Sequence, residues 1–191
     1  NASSEQGLLA VNGMSYQARD GENANSALIV TVTPEDFPEE GALGGIAFQR
    51  DLEKKAWELG KGKVPVQLFG DFCAHQPSSQ LGEIHPNIKG GYVLTDVRSI
   101  LPKELGDSIE EGIFAFGKKL SGFDRKDAVL SGIESRTSSP VRLVRDQKGL
   151  SNITGIYPCG EGAGYAGGIT SAAMDGIKTA EWIASEYMMK L

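Results

Sequence analysis

The sequence predicts an α+β protein that ends in a single strand, glycine loop and helix. Before residue 146, β-branched runs and helix-spaced apolar positions follow one another irregularly, which is the pattern of a mixed sheet rather than of alternating βα pairs. After it the chain reads TGIYPCGEGAGYAGGITSAAMDGIKTAEWIASEYMMKL, a short apolar run, a loop and a long helical pattern. One strand and one helix cannot bury their own faces, so this last unit is expected to complete a larger sheet.

The elements are justified in order. Residues 7–14 alternate weakly and end at Asn12-Gly13, a turn dipeptide that would begin a hairpin. Residues 15–26 are polar, and ALIVTVT at 27–33 follows as a β-branched strand stopped by Pro34. Phe48, Leu52, Ala56 and Leu59 step at helical spacing, Asp51 and Lys55 form a favourable i,i+4 pair, and Gly60 ends that helix, with Trp57 read as buried packing. Residues 64–69 read as a strand, placed at an edge or at its start by Pro65, which has no N–H to donate. A short helical turn at 71–75 and a strand at 92–95 come next. Ser108 and Glu111 match a capping box, with Ile109, Ile113, Phe116 and Leu120 as the helical face and Gly122 as its end. Residues 128–135 and 141–145 read as two further strands.

The loop after the final apolar run, 155–159, holds Gly160, Gly162, Gly164, Gly167 and Gly168 within nine positions. Glycine at this density lets backbone lie directly against a ligand with no Cβ between them. Ala173, Ile177, Ala180, Ala184 and Tyr187 mark one face of the helix that follows, with Thr170 or Ser171 as its cap. Its unpaired N–H groups and positive dipole end would then point into the loop. The loop's one acid, Glu161, falls just past the expected strand end, where ligands bind in open α/β sheets. An ordinary αβ connection remains the alternative to a ligand site. The loop is not a P-loop, having no G-x-x-x-x-G-K-[ST], and it lacks the downstream βα unit of a dinucleotide fingerprint.

Composition narrows the function classes. The 191 residues suit one domain or one and a part, since roughly 100–200 residues make a domain. Hydrophobic residues make up 40% and charged residues 23%, an ordinary globular balance. No run approaches the ~20 apolar residues of a membrane span. A net charge of −6 argues against a nucleic-acid surface. Cys73 and Cys159 form no metal-ligand pair or C-x-x-C and fit free thiols of a reducing, cytoplasmic compartment, with Cys159 read as a small buried residue. His75 and His85 have no nucleophile or metal partner at diagnostic spacing and read as loop histidines, and no metal site is expected. The missing initial Met suggests a piece of a longer polypeptide. Two polar loops are open to two readings: Arg19, Asn23 and Asn25 belong to a plain connection or to a cleft, and Arg136, Thr137 and Ser138 to a hairpin turn or to an anion-binding loop.

The blocks GIYPCGEGAGYAGGITSAAMDGIKTAE, GIESRTSSPVRLVRD, VNGMSYQARDGENANSALIVTVTPEDF, FQRDLEKKAWELG and GFDRKDAVLSG together resemble the C-terminal portion of bacterial uncharacterised NAD(FAD)-utilizing dehydrogenases, flavoproteins of the two-dinucleotide-fold class. The resemblance covers almost the whole chain. It implies a FAD-dependent oxidoreductase whose G-x-G-x-x-G half lies upstream, so that the missing N-terminal FAD-binding half of the same protein is this chain's partner. Residues 1–147 would be an inserted, substrate-side domain, and residues 148–191 the segment that completes a Rossmann-like FAD domain. The resemblance also implies the cofactor contacts. Gly160 and Glu161 take the place of the strand-end pair at the ribityl chain, with Glu where the wider class more often has Asp, and Gly162 belongs to the same loop. Gly167, Gly168, Ile169 and Thr170 would present N–H groups to the flavin ring. Arg19, Asn23, Asn25, Arg136, Thr137 and Ser138 are then substrate-side candidates for an unknown small molecule. NADH or NADPH is the candidate electron donor, and no catalytic acid or base is assigned. A noncatalytic FAD-binding or interaction module is the alternative. This fragment by itself is expected to be inactive and to hold FAD weakly or not at all.

Overall fold

The computed structural model describes residues 5–188. It is α+β, with one small mixed sheet, and it divides into two compact units. Unit 1 comprises Asn1–Asp36 and Gln49–Ser135, and unit 2 comprises Phe37–Phe48 and Arg136–Leu191. Helix α1 (Gly44–Gly60) runs through the boundary.

Unit 1 is organised on strand β1 (Val64–Leu68). Strand β2 (Tyr92–Leu94) lies parallel on one side, with Val64 opposite Tyr92 and Val66 opposite Leu94. Strand β3 (Val129–Ser131) lies antiparallel on the other, with Val66 opposite Ser131 and Leu68 opposite Val129. The strand containing Pro65 is therefore central, against the expectation of an edge. Pro65 lies one residue beyond the last β1–β3 partner pair, Val66 and Ser131, so its missing N–H costs one bond at the end of that ladder, and its carbonyl still accepts from Gly132 N at 3.1 Å.

The core gathers on this sheet. Helix α2 (Phe69–Cys73) buries Phe69 and Phe72, and helix α3 (Lys103–Gly117) buries Ile113. The 3-10 turn Val97–Ile100 adds Val97 and Ile100, α1 adds Leu52 and Ala56, and the N-terminal stretch adds Leu9 and Ala10. That stretch is no hairpin. Leu9 N donates to the Glu53 carbonyl and Val11 N to the Ile133 carbonyl, so it is tied to other segments instead. Polar groups that enter this core are bonded. Gln67, fully buried, donates to the Gln76 carbonyl and Asp96 Oδ1 and accepts from Arg98 N. Arg98 binds Asp107, Glu110 and the Phe72 carbonyl, with its guanidinium 4.6 Å from the Phe72 ring centroid.

Several expected elements differ. Residues 27–33, expected as a strand, have no helix, turn or bend and belong to no sheet among the described residues. Helix α3 starts after Pro102, and Ser108 sits inside it, donating to the Glu104 carbonyl rather than capping. It ends at Gly117, before Gly122. Trp57 is 37% exposed and covers Gly62 rather than the core. His75 and His85 are exposed loop residues, as expected. No helix among the described residues is long and apolar enough to cross a membrane.

Unit 2 contains helix α4 (Ile169–Met188), the start of α1 and connecting backbone. Residues 141–145 and 155–159, expected as strands, form none. Their backbone is tied by single loop bonds, Leu143 N to the Ala163 carbonyl and Ser151 N to the Ile156 carbonyl, because no neighbouring strand lies among the described residues of the unit. Phe37 and Phe48 pack with centroids 5.7 Å apart, and Gly45 lies against Pro140 so closely that a Cβ there would sit 2.7 Å from it.

Candidate functional site

The glycine loop is built from two tight turns. Gly164 N donates to the Glu161 carbonyl and Tyr165 N to the Gly160 carbonyl, at 2.9 and 3.0 Å. Gly160 and Gly164 adopt positive φ angles of 72° and 82°, where a side chain is strained. A Cβ on Gly164 would also lie 2.6 Å from the Val141 carbonyl oxygen. These two glycines are thus required by the loop's own folding. Gly162 and Gly167 are different: neither has a positive φ, and a Cβ on either would meet no described atom within 4 Å.

The loop runs into α4 at its open end. Gly168 caps the helix with its carbonyl, which accepts from Ala172 N and Ser171 Oγ. The expected cap at Thr170 or Ser171 is therefore displaced: Thr170 and Ser171 lie inside the helix, and the Ser171 hydroxyl donates. The N–H groups of Ile169, Thr170 and Ser171 have no acceptor among the described residues, as in any first helical turn. Ile169 is 94% exposed, and the Glu161 carboxylate is exposed with no hydrogen bond to the described residues.

A buried ion pair fixes this loop from behind. Asp175, one and a half turns into α4, accepts from Arg145 Nη1 and Nη2 at 2.9 and 2.6 Å and from Gly160 N at 2.9 Å. Arg145 also donates to the Pro158 carbonyl at 2.7 Å. Its guanidinium lies 3.6 Å from the Tyr165 ring centroid and 5.2 Å from that of Trp182. Tyr165 Oη in turn accepts from Arg145 N and donates to the Leu143 carbonyl. Both charged side chains are about nine-tenths buried, so the pair acts where water screens it little. The Arg145 guanidinium, and secondly the Gly160 N–H, hold the Asp175 carboxyl down at about 2. Asp175 thereby anchors the first glycine of the loop to the helix that follows it.

The structure places Gly160, Glu161, Gly162, Gly167, Gly168, Ile169 and Thr170 in one continuous stretch of unit 2. Arg136, Thr137 and Ser138 are exposed in the same unit, on a loop whose next residue, Ser139, is bonded through Oγ to the Gly162 carbonyl at 3.1 Å. Arg19, Asn23 and Asn25 belong to unit 1 and are exposed there. Two of these spend their amides on the fold, Asn23 on the His85 carbonyl and Asn25 on the Met14 carbonyl, and Arg19 has a positive φ of 53°. Sequence reasoning missed Arg145, Tyr165 and Asp175. The signal was an acid at position 175 amid small and apolar residues of a helix, which demands a cation when buried.

The cysteines are both free. Cys159 is exposed, not buried as expected, because it belongs to no strand. Burial, and then the Glu110 carboxylate, push the Cys73 thiol up and make it a weak nucleophile. Among the described residues no group of three or more His, Cys, Asp or Glu is arranged to hold a metal ion.

Two comparisons with known proteins bear on this site. An uncharacterised protein of Clostridium beijerinckii (strain ATCC 51743 / NCIMB 8052) is 52% identical over 189 residues, which cover 97% of this chain. The chain spans only 36% of that relative's length. The sequence pattern of the family described as FAD-dependent protein, C-terminal domain-like matches residues 1–137, well over half of the chain, and the chain therefore belongs to that family.

Proposed function

We propose that this chain is the C-terminal part of a FAD-dependent oxidoreductase of the dehydrogenase type, in which residues 148–191 complete a Rossmann-like FAD domain and residues 1–147 form the substrate-facing domain. The observation that carries the reading is the division among the loop glycines. Gly160 and Gly164 answer to the loop's own backbone, whereas a Cβ on Gly162 or Gly167 would meet open space, and Gly167 comes two residues before a helix start with unbonded N–H groups. Open backbone without side chains, next to donors and a positive dipole end, leaves room for the close approach of a flavin.

The residues present fit FAD in distinct ways. The exposed Glu161 carboxylate would accept from ribityl hydroxyls, and Gly160, pinned by Asp175, would set its position. The N–H groups of Ile169 and Thr170 would face the pyrimidine edge, where a helix start favours negative charge. FAD supplies two-electron hydride chemistry when bound. Arg136, Thr137 and Ser138 would meet a substrate beside the loop to which Ser139 is bonded, with Arg19, Asn23 and Asn25 as further substrate-side candidates. NADH or NADPH is the proposed donor, and the cytoplasm the proposed location.

The test uses the full-length protein. Purified protein should carry about one flavin per chain and be bleached anaerobically by NADH or NADPH. Flavin without reduction by either would favour a noncatalytic FAD-binding module, and no flavin at all would sink both readings. Replacing Gly167→Val should lower flavin content at least about tenfold, since a branched side chain enters the approach surface. Unchanged occupancy would remove this loop from the site.

A further inference from the structure

Residues 27–33 carry the strongest unpaired strand signal in the chain. Five of the seven residues in ALIVTVT are β-branched. No helix, turn or bend interrupts the segment, and exposure alternates along its first part: Leu28 and Val30 are half-buried, Ile29 and Thr31 are exposed, Ile29 at 66%, and Val32 stands at 36%. That is the two-residue period of a strand with one face packed. Yet none of the backbone N–H or carbonyl groups of residues 27–32 is bonded to another described residue. Only Thr33 is tied down, its N–H and hydroxyl donating to Asp36 Oδ2 and its carbonyl accepting from Asp36 N. An exposed apolar edge of this length is a template for pairing, and proteins seldom leave one open.

We propose that residues 27–33 form a strand of a sheet whose neighbouring strand comes from the part of the same protein outside these 191 residues. The inference rests on the reading above that the chain is the C-terminal part of a longer flavoprotein. A relative matched along 97% of this chain has nearly two thirds of its length beyond the match, ample to supply such a strand. A second copy of the chain is the poorer occupant. Residues 20–40 contain six acids, Asp20, Glu22, Glu35, Asp36, Glu39 and Glu40, and no Lys or Arg. Pairing two copies through the segment would bring these like charges together on both flanks.

Residue-resolved amide hydrogen exchange on the full-length protein tests this, with flavin content read from the absorbance of the same sample. Pairing on one side should slow at least every second amide from Leu28 to Val32 by about 100-fold or more relative to the unstructured chain. Exchange within about tenfold of the unstructured rate would overturn the proposal, as would protection that appears only with dimer formation at rising concentration. Protection in a flavin-free protein would support the pairing while the cofactor reading falls. Bound flavin with unprotected amides would do the reverse.

Discussion

The two units solve the same problem with different means. Unit 1 buries apolar side chains from β1, α1, α2, α3 and the 3-10 turn, and polar groups such as Gln67 and Arg98 enter only with their bonds made. In unit 2 the buried apolar side chains among the described residues are Phe48, Pro158 and Ala163, while α4 leaves Met174, Ile177 and Tyr187 more than half exposed. Its order comes from the Arg145–Asp175 pair, the Tyr165 ring and single backbone bonds. An apolar core tolerates small shifts because its contacts are many and non-directional. A polar clamp fixes one geometry, which suits the proposed role of a loop whose backbone would meet a cofactor, but it fails when either charge is removed.

The sharpest way to break the contrast is to attack each unit at its centre. Phe72→Ala should cost about 4 kcal/mol, because it opens a large cavity under β1 and removes the ring on which Arg98 rests. Urea unfolding would measure it, and a loss below about 1 kcal/mol would mean that unit 1 does not depend on this core. Asp175→Ala should cost about 3 kcal/mol by leaving Arg145 buried without its partner. Its particular mark is local: the Gly160 amide loses its acceptor and should exchange faster, while amides of β1 stay protected. Equal loosening in both units would deny the clamp its local role.

Acid separates the units more gently. The Asp175 carboxyl titrates at about 2 in the fold and at its ordinary 3.8 when unfolded. Its pair therefore stabilises fully above about pH 4, and the stabilisation disappears as pH falls through 2, a loss of at most about 2 kcal/mol. The Gly160 amide should lose protection across that window. Asp175→Asn should flatten the response, and an unchanged acid profile in that variant would assign the lability to other carboxylates.

What was legible in the sequence follows the same division. Helix α1, β1 and β2 carry their periodicity or β-branching within a few residues, so local pattern found them. The glycine loop was legible for the same reason, being continuous. Residues 27–33 and 141–145 were read as strands from local propensity, but a strand exists only with a neighbour, and none lies among the described residues. Helix α4 was found while its inward face was misread. The side chains that pack are Ala172, Asp175, Thr179, Trp182 and Ile183, with Ala173, Ile177, Ala180, Ala184 and Tyr187 turned outward. Apolar counting favoured Ala and Ile, whereas the fold turned toward Arg145, a cation 30 residues upstream that no local window contains.

That outward face offers the smallest predicted effect. Ile177 is 62% exposed and sits among other exposed apolar residues of α4, so in the 191-residue chain Ile177→Ser removes little buried area. The expected change is within about 0.5 kcal/mol, with an unfolding midpoint that does not vary with protein concentration. If the substitution instead costs about 2 kcal/mol, and the wild-type midpoint rises with concentration, then α4 is covered by a second chain in solution. Unit 2 would in that case draw on apolar burial after all, and its contrast with unit 1 would be one of where the covering surface comes from rather than of how the fold is held.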